Sequence, residues 1–479
     1  MDPHSSSSSS SSSLLLCFFL FLLAAPSYSL PLSVSIPLSL SPPSINNNPS
    51  AKTTRSGHYP YQKLAFLVSQ SLSRAHHLKN HRNNDVTSLS SHSYGGYSIS
   101  LSFGSPPQTI QFVMDTGSDL SWFPCTKRYV CRNCTFPGGD KSSLTNPPFY
   151  PKLSSSSKVL GCQNPKCGWL HHRNVTHCAD CDSDSSNCTQ ICSPYMIFYG
   201  SGTTGGFGLL ETLDLPGNRL FPNFLVGCSV FSSRQPAGIA GFGRGKASLP
   251  SQLGLDRFSY CLLSRKYDES SQTSPLQLES GLDSGGKTAG VSYTRFAKNP
   301  IVPGKEALSV YYYLPIRKIT VGGSTVKIPD EYLLTGENGD GGSIVDSGST
   351  FTYMTNPVFK LVASAFENQV KKYSKAEYVE SAVGLRPCFN VSGEKEISLP
   401  EMRLHFKGGS EMVLPLENYY VLAGNSEAVC FAMVTDSELE SPSRDGGPAI
   451  ILGSFQMQNF YVEYDLRNDR FGFMKQKCK

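Results

Sequence analysis

Two short stretches of the chain carry the same acidic turn. In QFVMDTGSDLSW, 111–122, Asp115 closes an apolar run and opens Asp-Thr-Gly-Ser; in SIVDSGST, 343–350, Asp346 opens Asp-Ser-Gly-Ser, 231 residues later. Gly117 and Gly348 permit a turn tight enough to aim backbone N–H groups at the preceding carboxylate, and Ser118 and Ser349 can donate to its outer oxygen. Thr116 and Ser347 complete the two turns. If the turns face each other, the two carboxylates cannot both ionise, and the pair holds one proton at mildly acid pH. One carboxylate can then take a proton from a water that attacks a peptide carbonyl, while the other protonates the developing oxyanion. This chemistry requires no metal, no cofactor and no covalent intermediate.

A single turn of this kind is a weak signal, but two, each behind an apolar run, imply one strand-turn unit in each of two lobes. The rest of the chain suits such lobes. Apolar residues make up 39% and charged residues 16% of 479, with many Gly, Pro, Ser and Tyr, which favours short strands and turns over long charged helices. The runs SISLSF, IQFVMD, YMIFYG, FLVGC, SIVDSG, MRLHF, AIILG and FYVEYD alternate with turn signals and predict a mostly β protein. One helix is predicted over 356–373, with Asn356 as N-cap, Pro357 in the first turn, and Val358, Leu361, Val362, Ala365 and Phe366 on one face.

The N-terminus reads as a targeting segment. A serine run leads into the 12-residue apolar block LLLCFFLFLLAA, 14–25, and small residues follow up to Ser29, as in a secretory signal peptide; a membrane anchor would need about 20 apolar residues. Without Cys17 the chain keeps 14 cysteines, an even number suited to disulfides in an oxidising compartment. Asn133, Asn174, Asn187 and Asn390 each head an N-x-Ser/Thr sequon, a possible glycan site on an exported chain. Residues 1–90 hold six Lys/Arg against two Asp/Glu, leaving a nearly neutral remainder of 36 against 35, so no nucleic-acid footprint is expected. The basic excess lies in 61–82, where Leu64, Leu67, Val68, Leu72 and Leu78 predict an amphipathic helix. Residues 30–57, rich in Ser, Pro and Asn, read as a disordered linker, and the first strand is expected near 94–104.

These residues resemble the pepsin-like aspartic proteases, and within them the plant nepenthesin-like branch, over roughly 94–479. Aspartic proteases are also a standard example of a carboxylate pair sharing one proton. The family's flap tyrosine falls on Tyr199 in FYGSGTTGG, followed by Gly200, and its partner tryptophan on Trp122. Its apolar-apolar-Gly segments behind the catalytic loops match GIAGFGRG, 238–245, and AIILGS, 449–454; SLPSQL, RFSYC and the prosegment stretch SLSRAHH are similar too. The resemblance implies a two-lobed fold with a central cleft. It divides the chain into a signal peptide, 1–29, a linker and basic prosegment, 30–90, an N-terminal β lobe, 91–280, and a C-terminal β lobe, 281–479. It also implies a Cys-rich insertion, 162–192, and the pairs Cys125–Cys131, Cys134–Cys228, Cys162–Cys192, Cys167–Cys188, Cys261–Cys478 and Cys388–Cys430, with Cys178–Cys181 as an extra local bridge.

Other motifs are set aside. Cys178 and Cys181 near His171, His172 and His177 could form a zinc knuckle, but an exported chain favours disulfides. GSGTTG, 200–205, matches a dinucleotide pattern in form only, and GFGRGKAS, 241–248, resembles a phosphate loop with Ala247 where Ser or Thr is needed. Trp122 and Tyr199 could also be plain packing residues.

The sequence therefore predicts an exported aspartic-type endopeptidase, extracellular, in the cell wall or vacuolar, and monomeric. It would act on proteins and peptides, be held inactive by its own prosegment at neutral pH, and bind neither nucleic acid nor, once the signal is removed, membrane. The alternative is a catalytically silent relative that inhibits cell-wall glycoside hydrolases.

Overall fold

The structure, a computed structural model, describes residues 31–40, 61–79, 96–132, 134, 147–171, 190–199, 202–234, 238–264, 272–281, 286–436 and 447–479. The signal region, the sequons at Asn133, Asn174 and Asn187, the residues Cys178, Cys181, Cys188, His172 and His177, and Gly200 lie outside them. Among the described residues no helix is long and apolar enough to cross a membrane.

The molecule is mostly β and two-lobed. A 15-stranded sheet runs through the first lobe and across the base of both lobes. In spatial order its base strands are Ser292–Arg295, Arg470–Lys475, Phe460–Asp465, Arg257–Cys261, Thr273–Glu279, Ser33–Leu40 and Tyr97–Phe103. Strands from the end of the chain and from its beginning therefore share one sheet, separated by Arg257–Cys261 and Thr273–Glu279. The second lobe adds sheets of five, four and three strands.

The two acidic turns stand on matching scaffolds. In the first lobe Gln108–Asp115 pairs in parallel with Gly238–Gly241, putting Gly241 opposite Asp115, and Gly238–Gly241 pairs antiparallel with Trp122–Pro124. In the second, Ser343–Val345 pairs in parallel with Ile450–Leu452, which pairs antiparallel with Thr352–Met354. Each acid thus leaves the end of a buried central strand, and a second strand passes beside it. Side chains on both faces of Gly238–Gly241, Ser343–Val345 and Ile450–Leu452 are buried, which explains their nearly unbroken apolar character.

Residues 33–40 correct the expectation of a disordered linker. They form a strand paired with Thr273–Glu279 from Ser33↔Glu279 to Ser39↔Thr273, and with Tyr97–Phe103 from Leu38↔Ile99 to Leu40↔Tyr97. Val34, Ile36 and Leu38 are buried while Ser33, Ser35 and Pro37 face outward. This period-2 pattern is present in SVSIPLSL, but the high Ser and Pro content conceals it. The basic segment is a helix, Tyr61–Lys79, with Leu64, Leu67, Val68, Ala75 and Leu78 buried in one cluster with Leu308, Tyr311, Ile344 and Phe351 of the second lobe. The later helix spans Asn356–Gln369, four residues shorter than expected, with Thr355 rather than Asn356 at the N-cap. It buries Val358, Phe359, Val362, Ala363 and Phe366, whereas Leu361 is exposed.

Because Ile36 packs into an internal strand, Ile36→Ala should destabilise the intact chain by about 2–4 kcal/mol, read as a lowered urea midpoint. An unchanged midpoint would mean that this strand is dispensable.

Candidate active site

Both acidic turns are folded as their residue types require. Gly117 N donates to Asp115 Oδ1 at 3.0 Å and Ser118 Oγ to Asp115 Oδ2 at 2.6 Å. In the second turn Gly348 N donates to Asp346 Oδ1 at 3.1 Å and Ser349 Oγ to Asp346 Oδ2 at 2.7 Å. Each carboxylate therefore has both oxygens held from its own turn.

The turns also hold each other. Thr116 N donates to Ser347 Oγ at 3.1 Å, Ser347 N donates to Thr116 Oγ1 at 2.9 Å, and Ser347 Oγ donates on to the Met114 carbonyl at 3.1 Å. Thr116 and Ser347 are fully buried, so these bonds are sheltered from water. The lobes meet so closely here that a β-carbon on Gly117 would lie 2.7 Å from Asp346 Oδ1, and one on Gly348 would lie 2.6 Å from Asp115 Oδ1. Neither glycine has a positive φ, so a side chain is excluded by the approach of the opposite carboxylate, joined at Gly117 by Arg74 Nη2 at 2.5 Å.

A third charged group joins them. Arg74, on the basic helix, is buried, and its Nη2 donates to Asp115 Oδ1 at 2.6 Å and to Asp346 Oδ1 at 3.2 Å, while its Nε donates to Asp346 Oδ2 at 3.0 Å. One guanidinium thus bridges both acids. Burial raises the Asp115 carboxyl above its ordinary value, with Arg74 opposing and the Asp346 charge adding to the rise. Burial also pushes Asp346 up, but there the charge and hydrogen bonds of Arg74, helped by Ser349 and Gly348, outweigh it and hold the group low. The two acids thus titrate as one coupled pair in unequal surroundings.

Trp122 and Tyr199 are linked: Trp122 Nε1 donates to Tyr199 Oη at 2.8 Å. Tyr199 ends the strand Tyr195–Tyr199, one arm of a hairpin with Gly202–Leu215, and the His77 ring of the basic helix lies 6.1 Å from its ring. The helix is secured further along its length. Phe351 N donates to Ser71 Oγ at 2.9 Å and Lys79 Nζ to Tyr353 Oη at 2.8 Å, while His76 Nε2 lies 2.6 Å from Asp436 Oδ1; Tyr353 Oη also donates to Asp436. Ser71 opens the SLSRAHH stretch, whereas Tyr353 and Asp436 belong to no sequence motif.

The disulfides depart from the expected pairing. Cys125 joins Cys228 and Cys131 joins Cys134, in place of Cys125–Cys131 and Cys134–Cys228. Strand Trp122–Pro124 runs in parallel beside Arg219–Ser233 with Phe123 opposite Cys228, which brings the Cys125 and Cys228 Cα atoms to 5.1 Å. Cys131 is carried on to a position opposite Ser232. Cys167 joins Cys192, replacing both Cys162–Cys192 and Cys167–Cys188, because the short helix Pro165–Leu170 buries Cys167 against Cys192. Cys162 is bridged as well, but not to Cys192. Cys261–Cys478 and Cys388–Cys430 are formed. Of the zinc-knuckle residues only His171 is described; its Nε2 lies 3.0 Å from the Ser193 carbonyl, and its cysteine neighbours Cys167 and Cys192 are bonded to each other and offer no thiolate. Asn390, at the end of a strand, is exposed.

Two β lobes that present paired Asp-Thr/Ser-Gly turns across a cleft define the pepsin-like class. Comparison with known proteins places the chain more narrowly. Residues 97–278 match the family described as xylanase inhibitor N-terminal, and 311–475 match xylanase inhibitor C-terminal. The chain is 33% identical to aspartic proteinase nepenthesin-2 of Nepenthes gracilis, over 80% of this chain and 78% of that one. It is 32% identical to a probable aspartyl protease of Arabidopsis thaliana, over 80% and 82%. Among solved structures it superimposes on edgp, TM-score 0.60 at 17% identity over 93% of this chain and 95% of that one, and on conglutin gamma, a basic 7S globulin from lupine seeds, TM-score 0.59 at 15% identity over 93% and 96%. The chain belongs to the pepsin-like aspartic protease family, in its nepenthesin-like plant branch.

Thr116→Val should leave the buried Ser347 N–H without its acceptor and destabilise the fold by about 1–3 kcal/mol. Combined with Ser347→Ala, the two losses should fall short of additivity by at least about 0.5 kcal/mol in a double-mutant cycle. Strict additivity would show that the cross-turn bonds are not energetically coupled.

Proposed function

We propose that the protein is an aspartic endopeptidase that hydrolyses peptide bonds at acid pH and is made as an exported, self-inhibited precursor. The observation that carries this is the meeting of Asp115 and Asp346, each fixed by its own turn and close enough to exclude a side chain at the opposing glycine. With Arg74 withdrawn, the two carboxyls share one proton, and a water between them is activated by the ionised one. The protonated one supplies a proton to the carbonyl oxygen as it becomes an oxyanion. Gly117, Ser118, Gly348 and Ser349 keep the carboxyls from rotating, so little reorganisation accompanies the proton transfers. Trp122 fixes the Tyr199 hydroxyl, which positions the hairpin as a lid over an extended substrate.

The even cysteine count after the apolar leader, together with the five disulfides above, supports passage through the secretory route to the cell exterior or vacuole. The sequon at exposed Asn390 suits glycosylation there.

The rival reading, a silent relative that binds cell-wall glycoside hydrolases, is favoured by the xylanase-inhibitor description of both matching families. Both acids, their four turn donors and the Trp122–Tyr199 bond speak for the enzyme. Acid cleavage of a denatured protein, blocked by a statine-type transition-state analogue, separates the two. Asp115→Asn and Asp346→Asn should each leave the fold intact, judged by circular dichroism, and lower kcat at least about 1,000-fold; retained cleavage by either purified variant would overturn the mechanism.

The prosegment helix acts as an internal inhibitor through Arg74. Burial pushes Asp436 up, but hydrogen bonds from His76 and Tyr353 and the charge of Lys79 outweigh it and hold the group low. Asp115, held high, contributes in the opposite sense, but for Asp346 and Asp436, both depressed, the stabilisation of the docked helix is fully present above the unfolded carboxylate value of about 4. It is lost as pH falls through their lower folded values, so release is expected below about pH 4. Arg74→Glu should abolish the lag before cleavage when the precursor is transferred to acid. Lys63→Glu, three helical turns from Arg74, should change that lag by less than about twofold. An unchanged lag in the Arg74 variant would remove the helix from the inhibitory mechanism.

A further inference from the structure

The glycine-rich stretch GFGRG, 241–245, has no phosphate-binding role to explain its composition, and its glycines are not demanded by φ, since none of the three is positive. What surrounds them is Asp119. A β-carbon on Gly241 would run into the Asp119 backbone carbonyl, one on Gly243 into Asp119 Oδ1, and one on Gly245 into Asp119 Oδ2. The loop is glycine at every second position because it wraps around this one acid.

Asp119 is buried and lies four residues after Asp115. Gly245 N donates to its Oδ1 at 3.0 Å, while its Oδ2 is buried without a hydrogen-bond partner. The loop that it holds touches both ends of the first catalytic turn and also the second lobe. Phe242 N donates to the Asp115 carbonyl at 2.8 Å, Gly243 N to the Ser118 carbonyl at 2.8 Å, and Arg244 N to the Val310 carbonyl at 2.9 Å. Tyr312 Oη donates to the Phe242 carbonyl at 2.9 Å.

We propose that Asp119 is a positioning residue for the hydrolysis: as an uncharged carboxylic acid it clamps the 241–245 loop, and through that loop it holds Asp115 and the Val310 edge of the second lobe in register. The proposal rests on the protease reading for its catalytic consequence, and on the loop geometry alone for the clamp. A carboxylate here would be opposed by burial and by Asp115 on its own turn, while the second lobe offers only the neutral Tyr312 hydroxyl and the loop only the Gly245 N–H, which favours the charged form. The one cation of the loop, Arg244, pairs with Asp469 at 2.7 Å and stacks over Phe296. Burial accordingly pushes the carboxyl up to about 7, with the Gly245 N–H opposing and the Asp115 charge adding to the rise. The folded state then holds a proton that the unfolded chain releases near 3.8, so stability falls as pH rises from about 4 to about 7 and stays low above that.

The test compares Asp119→Asn, uncharged at every pH, with Asp119→Ala, which removes the clamp. In an Asp346→Asn background, where self-cleavage cannot interfere, the Tm of the full chain carrying Asp119 should fall between about pH 4.5 and pH 8 by on the order of 5 °C more than that of the Asp119→Asn chain. An identical pH dependence would overturn the uncharged clamp. With Asp346 intact, Asp119→Ala should lower kcat at least about tenfold with KM within about threefold, and Asp119→Asn should restore most of the loss and carry the neutral limb of kcat/KM upward by about one pH unit. An Asn variant as impaired as the Ala variant, with an unmoved neutral limb, would also overturn it. A parent protein inactive at all pH values would sink the protease reading, while the thermal comparison would still decide the clamp.

Discussion

Two carboxyl groups buried against each other are intrinsically unfavourable, since each is taken out of water and each repels the other. Much of the structure answers that constraint. Every oxygen of the pair accepts from its own turn, and the turns are joined by the Thr116–Ser347 bonds, so that neither acid can retreat without breaking buried hydrogen bonds in the other lobe. The base of the molecule repeats this interdependence on a larger scale, because strands from both ends of the chain belong to one continuous sheet, in which Phe460–Asp465 pairs with Arg257–Cys261 of the first lobe. The two lobes are separate in sequence but not in stability.

The same constraint accounts for the N-terminal segment. A pair of buried acids is a strong site for one planar cation, and Arg74 fills it with three hydrogen bonds that a lysine could not reproduce in this fork geometry. The helix that carries Arg74 lies in an apolar trough of the second lobe, and the strand that precedes it is part of the floor under the cleft. Cover and floor come from one short stretch of chain, and they differ in how they are held: the helix by side chains and ion pairs that acid can neutralise, the strand by backbone hydrogen bonds that it cannot.

The internal repeat is not symmetrical in its chemistry. Where the first turn continues from Ser118 into Asp119, the second continues from Ser349 into Thr350, and the strand behind it is answered by Ser454 and Phe455 N–H groups donating to the Ser349 and Thr350 carbonyls. Among the described residues, it is the first lobe that surrounds a third acid with glycines. The uneven environments of Asp115 and Asp346, one raised and one lowered, are a further asymmetry, created by how Arg74 divides its contacts.

Much of the architecture is already written in the one-dimensional pattern. The paired Asp-x-Gly-Ser turns, the apolar runs before them and the basic helix follow from local rules, because φ freedom, side-chain donors and hydrophobic period act over a few neighbours. The pattern is hidden where composition masks it, as in SVSIPLSL, or where partners are distant, as in the disulfides, whose pairing is set by strands that align Cys125 with Cys228 across 103 residues. Residue types alone determined that two acids could be rigidly held and that a cation precedes them in the chain. Only the tertiary structure decided that the acids face each other, that Arg74 lies between them and that Asp119 fills the space its glycines leave. Each of these is a contact between residues far apart in sequence or between elements brought together by sheet packing, and such contacts are specified by the whole core rather than by any local motif.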